Sequence, residues 1–135
     1  MHQTKDVTLE LIETEKLIPH ENIDNDIIYF LSSKILIDGI WTSPVVIDKK
    51  THIIMDGHHR VEAAKRMGVK KIPCYVMNYG EKYIDVLNWN TNEKFDVNSI
   101  YETVLIGKKF PVKTTRHVFL IPLYNVKIDL NILSI

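Results

Sequence analysis

Ile54-Met55-Asp56-Gly57-His58-His59-Arg60 is the stretch on which the fold turns. Two apolar residues run into Asp-Gly, and residues 58–67 beyond them place Val61, Ala64 and Met67 on one helical face before Gly68 stops it. The order is therefore strand, tight turn, helix. A glycine at the junction lets the backbone turn sharply, and the first free amides of the helix then face whatever lies in front of them, a position that favours an anion. Arg60 adds a planar, permanently charged donor fork, while His58 and His59 add ring nitrogens that donate hydrogen bonds or ligate metal. An Asp-Gly pair alone is an ordinary turn former, and His-His-Arg directly behind it is what sets this one apart. Adjacent helical positions diverge and HExxH spacing is missing, so structural zinc is a poor fit. Magnesium carried by a bound nucleotide, with Asp56 helping to hold it, fits better.

Upstream, residues 45–48 and 52–55 are short β-rich runs around Lys49-Lys50-Thr51, expected as a hairpin. Ile27, Ile28, Leu31, Ile35 and Leu36 fall at three- and four-residue spacings, with Asp24, Asn25 or Asp26 as cap and Gly39 as stop, which predicts a helix. Val7, Leu9 and Leu11 alternate with Thr8, Glu10 and Ile12, predicting a first strand over residues 7–14 with at least one buried face. The loop over residues 15–24 contains Pro19 and delivers His20 and Glu21 to the helix entrance.

Downstream, residues 71–77 return as a strand in which Pro73 predicts an edge position or an irregular start, and residues 83–89 supply another. Asp96 caps a helix over residues 97–105 with Ile100, Val104 and Leu105 inward, and Gly107 closes it. Residues 110–117, polar and basic between apolar segments, read as a binding loop before a final strand over residues 123–128. Together these elements predict an α/β (α+β) fold, a small mixed sheet packed with helices, in one compact domain over residues 1–135.

A chain of 135 residues buries one core without disulfides. Lys plus Arg, 17, balance Asp plus Glu, 17, so nothing in the overall charge favours a nucleic-acid or membrane-surface partner, and any anion site must be local. Cys74 stands alone, without a partner for a disulfide or a CxxC motif, and is expected to be a small buried residue in a reducing compartment. The polar start Met1-His2-Gln3-Thr4-Lys5-Asp6 has no apolar signal core and no run is long enough to span a bilayer, so the expectation is a cytoplasmic protein of open oligomeric state.

Two further constellations bear chemistry. Glu21, placed near a substrate hydroxyl, would take its proton during phosphoryl transfer. Lys113-Thr114-Thr115-Arg116-His117 gathers hydroxyls, a guanidinium and an imidazole suited to a small carboxylate or phosphate, although charge runs of this length are often only solvated. Trp41 and Trp89 read as core or rim residues.

Leu17-Ile18-Pro19-His20-Glu21, then Asp38-Gly39, Pro44-Val45-Val46-Ile47-Asp48, the Asp56-Gly57-His58-His59-Arg60 segment, and Ala63-Ala64 with Gly68 together resemble the ParB/sulfiredoxin superfamily. Within it, Asp-Gly-His-His-Arg with a distant Thr115-Arg116-His117 is similar to the free serine kinases, although the connection over residues 90–114 is shorter than usual there. The resemblance implies transfer of phosphate from ATP or ADP, with magnesium, to the hydroxyl of free L-serine, giving O-phosphoserine. It implies Glu21 and Asp56 as catalytic carboxylates, Gly57, His58, His59 and Arg60 around the nucleotide phosphates, and Thr115, His117, Trp89 and Arg116 around the acceptor. A ParB-like module that binds nucleotide without consuming it is the alternative, and a purely structural interaction domain is a third. Partition proteins that bind CTP and DNA carry a GERR-type motif where this chain has GHHR, and sulfiredoxins need a cysteine where His58 stands.

Overall fold

The computed structural model describes residues 6–135, and the start of the polar N-terminal segment, residues 1–5, lies outside the described residues. In chain order they form β1 (Thr8–Glu13), α1 (Asn25–Asp38), β2 (Ile40–Trp41), β3 (Val45–Asp48), β4 (Ile54–Asp56), α2 (His58–Arg66), β5 (Lys71–Met77), β6 (Ile84–Asn88), α3 (Val97–Leu105), β7 (Thr115–Phe119), β8 (Ile128–Asp129) and α4 (Leu130–Leu133). A four-stranded sheet runs β1-β5-β3-β4, with β5 and β3 parallel and the two outer pairings antiparallel. β6 and β7 pair antiparallel as a separate ribbon, and β2 pairs with β8.

The pleat of β3 sets the layers, because it is buried at all four positions and alternate residues meet different neighbours. Val45 and Ile47 join Val61 and Ala64 of α2 and Ile72, Cys74 and Val76 of β5 in one core. Val46 faces the other way, onto Met55, Met77, Ile84, Val86 and Ile100, so the β6–β7 ribbon and α3 cover the second face. Helices α1 and α2 pack on each other. Asp24 caps α1 by accepting from the N–H of Asp26, and Gly39 ends it with φ +70°. The expected hairpin of β3 and β4 is present, its turn held by Asp48, which accepts from the N–H and hydroxyl of Thr51.

Several expectations fail for physical reasons. Leu9 and Leu11 are 47% and 48% exposed, because β1 is an outer strand and only Ile12 reaches the core. Pro73 lies in an inner strand, but the parallel ladder to β3 begins one residue later, at Cys74, so the missing N–H falls outside it. Leu105, in the last turn of α3, is exposed rather than inward, while Ile100 is fully buried. Thr115, Arg116 and His117 belong to strand β7 and not to a loop. The final strand expected over residues 123–128 is irregular chain that pairs only at its end, Ile128 against Trp41. No helix among the described residues is long and apolar enough to cross a membrane.

Candidate functional site

The junction of β4 and α2 forms one wall of the site. Gly57 holds φ +108°, and a Cβ built there would meet Val45 Cγ1 at 2.6 Å, so only glycine lets the helix start so close to β3. Asp24, Asp96 and Asp129 each cap their helices through a side-chain oxygen, but no side chain caps α2. Its leading amides are left for another partner. Arg60 ties this mouth to the turn before β3: Nη1 donates to the carbonyls of Ser43 at 2.9 Å and Pro44 at 2.8 Å, and Nη2 reaches Asp56 Oδ2 at 3.3 Å. The guanidinium is thus partly spent on the backbone, which narrows the donor fork available to an anion.

Glu21 closes the site from the opposite side. Its Oε2 accepts from the N–H of Thr115 at 2.7 Å and from the Thr115 hydroxyl at 2.6 Å, while Oε1 takes only a long bond, 3.3 Å, from the N–H of Lys113. One oxygen is anchored and the other is nearly unengaged. The carboxylate is buried, and the isolated bridge between Glu21 and Phe110 fixes the backbone that carries it.

The two histidines of α2 hold the loop on which Glu21 sits. His58 Nε2 accepts from the backbone N–H of His20 at 3.1 Å, and His59 Nε2 accepts from that of Asp24 at 2.9 Å, so the rings clamp the chain on both sides of Glu21. Accepting at Nε2 requires each ring to be neutral with its proton on Nδ1, and only that second nitrogen remains to meet a ligand. Burial, together with neighbouring His20 and His117, holds His58 well below the ordinary imidazole value, and burial lowers His59 as well. His20 lies beneath, its ring 4.6 Å from that of His58 and 5.8 Å from that of His117. Burial pushes His20 down to about 4, opposed by the Ile54 backbone, and pushes His117 down to about 3 with help from His20. Tyr79 Oη lies 2.8 Å from His117 Nε2 and completes the buried polar layer.

Trp89, 44% exposed, stands at the rim where β6 ends. The Lys113 ammonium lies 5.9 Å and the Arg116 guanidinium 5.7 Å from its ring centre, and Arg116 also donates to Asn92 Oδ1 at 2.7 Å. All these walls enclose one open cavity of about 330 Å³, within the size range of small-ligand pockets. Of the residues singled out from the sequence, Glu21, Asp56 through Arg60, Trp89, Lys113, and Thr115 through His117 line it, whereas His20 and Thr114 do not.

Sequence reasoning passed over Ile27, Leu31 and Met55, which also line the cavity. Ile27 and Leu31 stand four apart on α1 and carry the ordinary signature of a core face, so nothing local marks them. Tyr79 follows β5 without any motif around it. Asp56 is mostly exposed, and the described residues contain no cluster of three or more His, Cys, Asp or Glu suited to a metal.

A family model described as the ParB N-terminal domain matches residues 1–87. The chain is 31% identical over 106 residues to an ATP-dependent L-serine kinase of Staphylothermus marinus, a match covering 74% of this chain and 41% of that protein. It is 33% identical over 82 residues to a ParB-like protein of Sulfolobus acidocaldarius, covering 61% and 41%. The chain therefore spans about two fifths of the length of the curated relatives it matches. Among solved structures, a free serine kinase in complex with AMP superposes with a TM-score of 0.85 at 16% identity, covering 96% of this chain and 95% of that one. At that identity the likeness establishes the fold, a small mixed α/β domain.

Proposed function

Since this chain belongs to the ParB N-terminal domain family, we propose that its cavity works as a nucleotide-dependent kinase site phosphorylating free L-serine, or a similar small hydroxy amino acid. The observation that carries this reading is the opposition of two half-satisfied groups across one cavity. An α2 mouth without a side-chain cap faces Glu21, whose Oε1 is nearly unengaged. The first is what a phosphate needs, and the second is what an acceptor hydroxyl needs.

The helix amides, the residual donors of Arg60 and the Nδ1–H groups of His58 and His59 would hold the nucleotide phosphates. An acceptor alcohol placed between them and Glu21 attacks the terminal phosphorus. The bond from phosphorus to the bridging oxygen breaks, the shortened nucleotide leaves with that electron pair, and the hydroxyl proton passes to Glu21 Oε1. Lys113, Arg116, Trp89 and His117 border the acceptor side, and Lys113 and Arg116 supply charge for an amino-acid carboxylate. The absence of a metal-binding cluster among the described residues, with Asp56 exposed at the mouth, fits magnesium brought by the nucleotide better than a protein cage. Asp56 would hold that ion, which neutralises phosphate charge when bound.

The test is to incubate the protein with magnesium, ATP or ADP, and a panel of hydroxy amino acids, and to search for phosphorylated product by mass. O-phosphoserine is expected, with Glu21→Gln reducing turnover at least about 100-fold, the usual worth of a positioned general base. No product with any pair, or full turnover by the Gln variant, overturns the assignment. Nucleotide binding without product would instead support a regulatory module.

A further inference from the structure

Thr115 spends both of its donors on one atom. Its backbone N–H and its hydroxyl each point to Glu21 Oε2, at 2.7 and 2.6 Å. A hydroxyl has a single proton, so once that proton goes to the carboxylate, anything else within reach of Oγ1 must donate to it. The group within reach is His20 Nε2, at 2.8 Å. His20 Nε2 and Glu21 Oε2 are themselves 3.8 Å apart, too far for a direct hydrogen bond, so the threonine hydroxyl links them. The direction that satisfies both contacts of the hydroxyl runs from His20 Nε2–H to Thr115 Oγ1–H to Glu21 Oε2.

The surroundings keep that direction from reversing. His20 is fully buried, its Nδ1 has no hydrogen-bond partner, and its backbone N–H is held by His58. Burial keeps the ring neutral against the weaker pull of the Ile54 backbone, so it carries one ring proton; of its two nitrogens Nε2 has a hydrogen-bond partner, Thr115 Oγ1 at 2.8 Å, while Nδ1 has none.

We propose that His20 is a positioning residue which, through the Thr115 hydroxyl, locks Glu21 so that Oε1 is presented to the acceptor alcohol; its catalytic consequence rests on the kinase reading above. Thr115 then serves the base, with both of its donors already spent on Glu21.

Long-range proton–nitrogen NMR of the histidine rings tests the direction of the chain without any turnover, with the His20→Gln variant used to assign the His20 signals. Protonation at Nε2 is expected. Protonation at Nδ1 would turn the Thr115 hydroxyl round and overturn the proposal. Kinetics with magnesium, nucleotide and L-serine supply the second readout. Thr115→Val should lower kcat about 100-fold, the cost of a misplaced catalytic group, with KM for serine held within about 2-fold, and Thr115→Ser should restore most of kcat. A raised KM with kcat intact would make Thr115 an acceptor ligand and sink the positioning role. Failure of the unsubstituted protein to phosphorylate anything removes the kinase reading, and the ring tautomer then still decides whether His20 orients Glu21.

Discussion

Lowering the pH from 7 to 5 should strip this fold of a large share of its stability, before its carboxylates begin to titrate. His20 is held at about 4 and His117 at about 3, against 6.5 for each in an unfolded chain. Between those limits the unfolded chain binds the protons and the folded one refuses them. The contribution is therefore fully present above about pH 6.5, is lost as pH falls through that value, and stops falling only below the folded values. At pH 5 each ring costs the native state about 2 kcal/mol relative to neutral pH, about 4 kcal/mol for His20 and His117 together. His58 is shifted the same way and adds to the loss. Against a typical total of about 5–15 kcal/mol, that is decisive. Urea unfolding followed at pH 7.5, 6.5, 5.5 and 5.0 through the fluorescence of buried Trp41 measures it, with the midpoint expected to fall by about 2 M. A midpoint that stays flat to pH 5 and drops only in the carboxylate range would refute the reasoning. It would mean that the Glu21 carboxylate, 3.8 Å from His20 Nε2, welcomes an imidazolium after all.

Besides the Glu21→Gln and Thr115→Val kinetics, two simpler outcomes are expected. Gly57→Ala forces a Cβ to 2.6 Å from Val45 Cγ1 at a φ of +108°, and should cost about 2–4 kcal/mol in urea unfolding while abolishing nucleotide binding; an unchanged midpoint would show that the α2 mouth tolerates a side chain. Burial raises the Cys74 thiol to about 12, so a thiol reagent at pH 8 should leave the native protein unlabelled while labelling the urea-unfolded chain, and prompt native labelling would contradict the packing around β5.

Where the chain obeys the ordinary rules of periodicity, its fold is readable from residues alone. The strand, turn and helix around Gly57, the Asp24 and Asp96 caps and the β3–β4 hairpin all follow from local chemistry. Reading fails where function overrides pattern. Thr115-Arg116-His117 looked like a loop because a strand that lines a polar cavity cannot keep its apolar alternation. The segment over residues 123–128 looked like a strand, yet its ladder pairing starts only at Ile128, with one further backbone bond from the N–H of Val126 to the carbonyl of Thr42. The burial of Glu21 could not be read from its loop, because the groups that hold its carboxylate, Thr115 N–H and Oγ1, lie 94 residues further along the chain. No window around Glu21 contains them.

That separation also divides the site between two parts of the chain with different tasks. The family match ends at residue 87, and up to that point the chain already owns the uncapped α2 mouth, Asp56, the two clamping histidines and Glu21 itself. Among the described residues it does not own a single hydrogen-bond donor to the Glu21 carboxylate, since Lys113 N–H, Thr115 N–H and Thr115 Oγ1 all lie beyond it. The matched portion by itself can offer amides to an anion, which is all that a module binding nucleotide without consuming it requires. Orienting a general base requires more, because a carboxylate free to swing loses the alignment from which catalysis draws most of its advantage. Strand β7 supplies that constraint, and on the proposed reading its Arg116 and His117, which line the cavity, form the acceptor wall beside it. If the cavity transfers phosphate as proposed, what separates that activity from simple nucleotide binding in this chain is the strand that reaches back to hold Glu21, and not the glycine turn by which the sequence is first recognised.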